Sequence, residues 1–308
     1  MSENIMNKRE VRSQLFLDGR DDYVTLPVNS FPTGSEITVS FWSYGGGTLP
    51  SNVTILAAAI ANGKRIFNIH LPWSDGKIYF DCGGSENGED RIQRQAEPID
   101  YKEKWSHWAF TKNAITGNMK IYHNGELWCE GNGKTLMLSK AAGIRIGSVV
   151  QGDFRPSFYY QGSIAELRIW EIARAEEEIK RDMNRYLSGD EKGLVSYWPL
   201  DEREGNLIYD KTKHCEPGTI HGNAVWMEFE SPPLESDRKS EPSTNNPPKN
   251  EEVSSQYLLQ TALYLAIGGA SLVVEKVNQT LENFQEDSKE ALDEIIERGQ
   301  EVYKKWYK

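Results

Sequence analysis

Four carboxylates are the side chains best suited to chemistry in this 308-residue chain. Asp18, Asp21 and Asp22 fall within five residues of one another around Gly19-Arg20, and Glu166 stands inside an apolar run further on. Calcium takes six to eight hard oxygens, often with the backbone carbonyls of a tight loop among them. Asp18, Asp22 and Glu166, with Asp21 beside them, are therefore the candidate ligands for Ca2+. The competing reading needs no metal: Asp18 and Asp22 hydrogen-bond their own backbone and shape a turn.

Aromatic side chains are the second group. Trp73, Tyr44, Tyr159 and Tyr160 are the candidate ligand contacts, because rings at turns and strand ends can stack on sugars; Trp73 sits in Pro72-Trp73-Ser74-Asp75-Gly76, a turn sequence. Trp42, Trp105 and Trp128 belong to the same pool. Trp108, Trp170 and Trp198 lie inside strand patterns and are read as core. His214, Cys215 and His221 lack the spacing of a zinc site. His70, His107 and His123 fall in strand patterns and are read as structural. No Ser-His-Asp or Cys-His arrangement is recognisable, and Gly45-Gly46-Gly47 is read as a flexible loop.

Strands must position these residues. Residues 12–230 carry short runs of Val, Ile, Phe, Tyr and Trp separated by turns. Glu36 to Tyr44 alternates, with Ile37, Val39 and Phe41 on one side and Thr38, Ser40 and Trp42 on the other. Trp108 and Phe110 share a face. Met119–His123, Asn124-Gly125 and Glu126–Glu130 read as a hairpin, since Asn-Gly accepts the positive φ angles of a type I′ turn. Ile144–Val150, Gly162–Trp170 and Gly193–Leu200 are further strands, and Ala224–Phe229 closes the sheet. A helix is predicted over Ala175–Leu187, with Ile179, Met183 and Leu187 as its apolar stripe, Glu176 to Glu178 in its first turn and Gly189 as its stop.

The order of these blocks resembles the laminin-G-like, concanavalin A-like jelly-roll domains. Leu15–Val24 is similar to the opening strand and acidic turn, and Ile37–Trp42 to the next strand. Trp105-Ser106-His107-Trp108-Ala109-Phe110-Thr111 with the Asn124-Gly125 hairpin is similar to the central pair. Gly162–Arg174, the helix and Gly193–Leu200 are similar to the closing section. The resemblance implies an all-β jelly-roll β-sandwich, a role in binding, and calcium near the first acidic turn. Three positions depart from it: Leu17 replaces an aromatic, Ala165 stands where many members carry Asp, and Ala175 replaces a Ser or Thr cap. Laminarinase-type glycosidases share the architecture and use E-x-D-x-x-E. Here the nearest string is Glu166-x-Arg168-x-x-Glu171, with Arg in place of the middle Asp. Strand alternation puts Glu166 and Glu171 on opposite faces, whereas a glycosidase needs both carboxylates across one bond.

Residues 231–252 hold five prolines among Ser, Asn, Glu and Lys and are read as a disordered linker. Residues 253–308 are read as a helical tail, which resembles phasin-like segments of polyhydroxyalkanoate granules through Leu258–Ala270, Glu275-Lys276-Val277 and Glu297-Arg298-Gly299. Its first 22 residues carry no formal charge. Leu258, Leu265, Ile267 and Leu272 there, then Val277, Leu281, Phe284 and Ile295, are the candidate membrane or oligomer contacts. Three readings stay open: a self-associating helix, an interfacial or granule-binding helix, and a membrane span.

The net charge of −11 opposes nucleic acid as a partner. Cys82, Cys129 and Cys215 are an odd, scattered set, and residues 1–11 are polar without an apolar signal core. A reducing, cytoplasmic location is therefore expected, with the tail attaching the protein to a membrane or granule surface. The expected function is non-catalytic recognition of a glycan or protein surface. The rival is an accessory of a large assembly, such as a granule coat or phage-tail-like particle, and glycoside hydrolysis ranks third.

Overall fold

The computed structural model describes residues 11–85, 88–150, 155–230 and 232. All belong to the first of two units into which the chain divides, Met1–Asp237 and Arg238–Lys308. The predicted linker beyond residue 232 and the predicted tail, with every candidate contact from Leu258 to Ile295, lie outside the described residues.

Sixteen strands follow one another among the described residues: β1 Val11–Asp18, β2 Tyr23–Leu26, β3 Glu36–Gly45, β4 Leu56–Ala59, β5 Arg65–His70, β6 Lys77–Ser85, β7 Gly88–Gln95 and β8 Trp105–Asn113. Then come β9 Asn118–His123, β10 Glu126–Gly131, β11 Gly143–Ile146, β12 Gln161–Trp170, β13 Leu194–Trp198, β14 Leu207–Ile208, β15 Gly218–His221 and β16 Val225–Glu230. Two short α-helices, α1 Pro98–Tyr101 and α2 Glu176–Asp182, interrupt these described strands. The strands form two eight-stranded sheets. The first runs β10-β9-β8-β3-β12-β1-β16, with β13 also on β12; the second runs β14-β15-β2-β11-β4-β5-β6-β7. The fold is an all-β jelly-roll sandwich.

Alternation builds the core. Ile37, Val39 and Phe41 of β3, Trp108 and Phe110 of β8 and Ile164, Leu167 and Ile169 of β12 point inward from the first sheet. Phe67 and Ile69 of β5 and Ile78, Phe80 and Cys82 of β6 meet them from the second. Burying one such side chain contributes about 1.5–3 kcal/mol. The hairpin joining β9 to β10 turns at Asn124 and Gly125 with φ of 51° and 83°, as a type I′ turn requires.

Three local expectations are corrected. The strand expected over Ile144–Val150 stops at Ile146, because the chain turns out of the sheet at Gly147, φ 81°. The helix expected over Ala175–Leu187 ends at Asp182. The Arg168 guanidinium takes the Asp182 carbonyl (2.7 Å) and the Arg185 carbonyl (2.5 Å), so those acceptors are satisfied without further helical turns. Ala175 offers no cap of its own, but Glu178 reaches back to accept its N–H at 2.9 Å. Gly45 and Gly46, read as part of a flexible loop, are instead close-packed: a Cβ there would strike the Tyr101 carbonyl and the Gln161 side chain.

The outer faces of the two sheets differ. On the first sheet, Trp42, His107, Arg168 and Trp170 are buried beneath α2, β13 and the segments around them. The Trp42 indole donates to the Met183 carbonyl at 2.9 Å. Among the described residues, the second sheet is crossed in its middle, where Val149, Val150 and Phe158 cover Ala57 and Ala59. No helix among the described residues is long and apolar enough to cross a membrane.

Candidate functional site

The acidic turn joins β1 to β2. One carboxylate oxygen from each of Asp18, Asp21 and Asp22 lies within 4.8 Å of the others. Backbone donors fix the turn. Asp22 accepts the N–H of Asp18 at 2.9 Å and that of Asn223 at 2.7 Å, and Asp18 accepts the N–H of Arg20 at 2.8 Å. Burial raises the Asp22 carboxyl to about 6, and the charges of Asp18 and Asp21 push the same way. The trio is thus both a built turn and a concentration of negative charge. Its donors are all carboxylate oxygens, the ligand type calcium takes.

Beside this turn, β2 sends Tyr23 and Thr25 to the outer face of the second sheet. Tyr23 stacks on His221 of β15, ring centres 4.5 Å apart, and lies 6.5 Å from Tyr159. The Arg145 guanidinium sits 5.0 Å from the Tyr23 ring. Thr25 Oγ1 is 2.9 Å from His221 Nε2. Burial, then the Arg145 charge, holds the His221 imidazole below its ordinary value, so it stays neutral at pH 7.

The far half of the same face is built from β5, β6 and β7. The register sets Asn68 opposite Asp81 and Asp81 opposite Arg91, so three polar side chains form one row across three strands. Arg91 grips Asp81 with two hydrogen bonds, 2.5 and 2.7 Å, and donates a third to Glu89 at 2.8 Å. The next row holds His70 and Tyr79. Trp73 stands over His70 with ring centres 4.3 Å apart and meets Phe158 edge-on at 5.2 Å.

Residues 18–180 match the model of the laminin G-type family in the concanavalin A-like lectin/glucanases superfamily. The chain belongs to that family. The laminin G-type domain is also 24% identical over 176 residues to the rat sushi, von Willebrand factor type A, EGF and pentraxin domain-containing protein 1, a match covering 54% of this chain and 5% of that protein. Among solved structures it is similar to a candidate carbohydrate-binding protein from Bacteroides ovatus (TM-score 0.55, 21% identity, 72% of this chain and 61% of that one). It is also similar to domains LG4-5 of the mouse laminin α1 chain (TM-score 0.41, 14% identity, 52% of this chain and 41% of that one). The chain spans a small part of the rat relative and under two thirds of the Bacteroides one.

In the laminin G-type domain the predicted residues do not converge on one point. Asp18, Asp21 and Asp22 meet; Glu166 stands apart. Asp18 faces Gln161 across the β1–β12 pair, which puts Glu166 roughly 16 Å further along the strand. A bulge between Ala165 and Arg168 turns Glu166, φ 55°, onto the outer face of the first sheet. There its carboxylate accepts from Arg168 (2.7 Å) and from the Tyr197 hydroxyl (2.6 Å), and it is 3% exposed. Glu166 is spent on a buried ion pair, whereas Glu171 is exposed. Tyr160, expected at the surface, is 1% exposed and part of the core. Tyr44 packs edge-on against Trp105 on the first sheet, 5.8 Å away. Only Trp73 and Tyr159 share the second sheet's outer face.

Tyr23, Asn68, Tyr79, Asp81 and Arg91 were not singled out by sequence. A signal was present for the strands that carry them: Ile78, Phe80 and Cys82 alternate with Tyr79 and Asp81.

Proposed function

We propose that residues 12–230 form a non-catalytic module that binds a glycan or protein surface, with calcium held at the Asp18–Asp22 turn. One observation carries this reading: the middle of the first sheet's outer face is covered by the chain's own residues, while the second sheet's presents half-exposed Tyr23, Trp73, Tyr79 and Tyr159 beside polar groups. Rings that offer both an apolar body and a hydrogen-bonding edge suit surfaces that mix apolar and hydroxyl groups. The carbohydrate-binding role suggested for the Bacteroides protein agrees with it.

Catalysis is disfavoured by the residues themselves. The carboxylate that best matches a glycosidase motif, Glu166, is locked between Arg168 and Tyr197, out of reach of a sugar. Calcium would use Asp18, Asp21 and Asp22, without Glu166, and would relieve the repulsion within the trio. The tail, residues 253–308, is proposed to self-associate or to attach to a membrane or granule surface. Either arrangement would strengthen weak single-site binding through effective concentration.

The test is a glycan array and a cell-surface protein panel probed with the full chain, with and without calcium. Calcium-dependent retention of an intact ligand supports the reading. A stoichiometric complex with one intracellular assembly, and no other binding, replaces it with the accessory role.

A further inference from the structure

We propose that His107 and the end of α2 form an acid-released latch over the outer face of the first sheet, a device that does not depend on the ligand reading above. Three features support it. The first is position. His107 of β8 stands opposite Trp42 of β3, their rings 5.3 Å apart, and its carbonyl accepts the Asn124 N–H at 2.8 Å. Met183, which ends α2, reaches both flanks of the imidazole. Its carbonyl takes the Trp42 indole at 2.9 Å, and a Cβ on Gly125 would lie 3.1 Å from its sulfur. Ile179, one turn earlier, packs on Ala109 and Tyr122. His107 is thus roofed by the end of α2 and is 2% exposed.

The second feature is that a second proton on this ring has no acceptor. His107 Nδ1 is buried without a hydrogen-bond partner among the described residues. The carbonyls at the end of α2 are already taken, Met183 by Trp42, and Asp182 and Arg185 by Arg168. Burial, then the charges of Arg168 on β12 and His123 on β9, hold the imidazole well below its ordinary value. The carboxylates around it are committed elsewhere: Glu166 to Arg168 and Tyr197, Asp182 to Arg174 and Arg181, Glu126 to Lys180. Glu176 and Glu177, at the far end of α2, act on Tyr122, while Asp100 and Lys104 act on His123.

The third feature is that the roof can open alone. α2 has seven residues and buries only Ile179 and Asp182, whereas β8 pairs with β3 along its whole length. A segment with so little apolar burial opens at a lower free energy than the sheet beneath it. In the opened form the ring titrates near its ordinary value of about 6.5, so each pH unit below that favours opening by about tenfold. Acid would then uncover Trp42, Ala109 and Tyr122 while the sandwich stays folded.

The experiment is amide hydrogen exchange on the full-length protein at pH 7.5 and 5.5, read as protection factors for residues 179–185. His107→Gln and His107→Phe remove the titration; His123→Gln is the control. We expect the wild-type opening constant to rise by about tenfold between the two pH values, with β3 and β8 keeping their protection. His123→Gln should keep that rise, and both His107 variants should lose it. No rise in the wild type, or an equal rise in the His107 variants, overturns the latch. So does a rise that His123→Gln abolishes, or one in which β3 and β8 open in step with α2. None of these outcomes touches the binding module.

Discussion

The Lys112 ammonium lies between the two sheets, 2.6 Å from Asp90 Oδ2 and 2.6 Å from the Cys82 carbonyl. Lys112 continues the inward-facing series of Trp108 and Phe110 on β8, while Asp90 belongs to β7 of the opposite sheet. The pair is a polar tie across an apolar core, and Asp90 also accepts the Leu136 N–H at 2.8 Å. Lys112 is wholly buried. Removing one partner from such a pair leaves the other charge stranded. Lys112→Met is therefore expected to cost about 3–5 kcal/mol in urea unfolding. Adding Asp90→Asn should recover part of that loss, because the amide oxygen can keep the Leu136 contact. A single variant of wild-type stability contradicts the assignment.

Arg168 should behave as the anchor of α2. Its guanidinium binds Glu166 and the Asp182 carbonyl out of water, and the Arg185 carbonyl at the edge of the buried region. Arg168→Met is expected to destabilise the domain by about 3–5 kcal/mol. Amide exchange around residues 176–185 should accelerate ahead of exchange in β3 and β8. Glu166→Gln should lower the melting temperature yet leave ligand binding unchanged.

Calcium should stabilise the fold through the acidic turn. At a free concentration of a hundred times Kd, a single site adds about 2.7 kcal/mol. For a domain of this size each kcal/mol is worth about 2–4 °C in Tm. Asp21→Asn should weaken the shift without harming the calcium-free protein, since Asp21 is exposed and the acceptors for the N–H groups of Asp18, Arg20 and Asn223 are Asp22 and Asp18. Differential scanning calorimetry with calcium and with chelator reads this directly. No shift in the wild type means the turn is structural only.

Acidity should act on the calcium-free protein through groups that oppose one another. Asp22 is raised from 3.8 to about 6 by burial, and burial also raises Glu202. A raised carboxyl contributes stability while protonated and loses it as pH climbs through the folded value, here between about 4 and 6. After discounting for solvent screening, Asp22 is worth on the order of 1 kcal/mol. Asp182 and Glu191 act oppositely: hydrogen bonds hold both below their ordinary values despite burial, so their contribution fades below about pH 4. Burial holds His70, His107, His123 and His221 below the ordinary imidazole value, so each withdraws stability as pH falls through about 6.5, and together they outweigh Asp22. The chelated protein is expected to melt lower at pH 5 than at pH 7.5. Thermal scans across that range check the sign.

Much of the sandwich was legible because strands buried on one face alternate, and β3, β8 and the β9–β10 hairpin followed that pattern closely. The misread positions lie where alternation breaks. Glu166 sits at a bulge, which adds a residue and re-aims the side chain. Tyr160 precedes β12, outside any alternating run, so its burial depends on packing that periodicity does not encode. The Asp18–Asp22 turn was legible because its donors are local. The Asn68–Asp81–Arg91 row was not, because it exists only once three strands settle into register.

The most direct measurement of the central claim is recovery of the ligand. A glycan that binds the full-length protein in calcium is held at equilibrium, released with chelator, and weighed by mass spectrometry. The expected result is reversible, calcium-dependent binding with every glycan chain intact. Shortened chains, with the shortening abolished in Glu166→Gln, would contradict a binding module and restore the hydrolase reading.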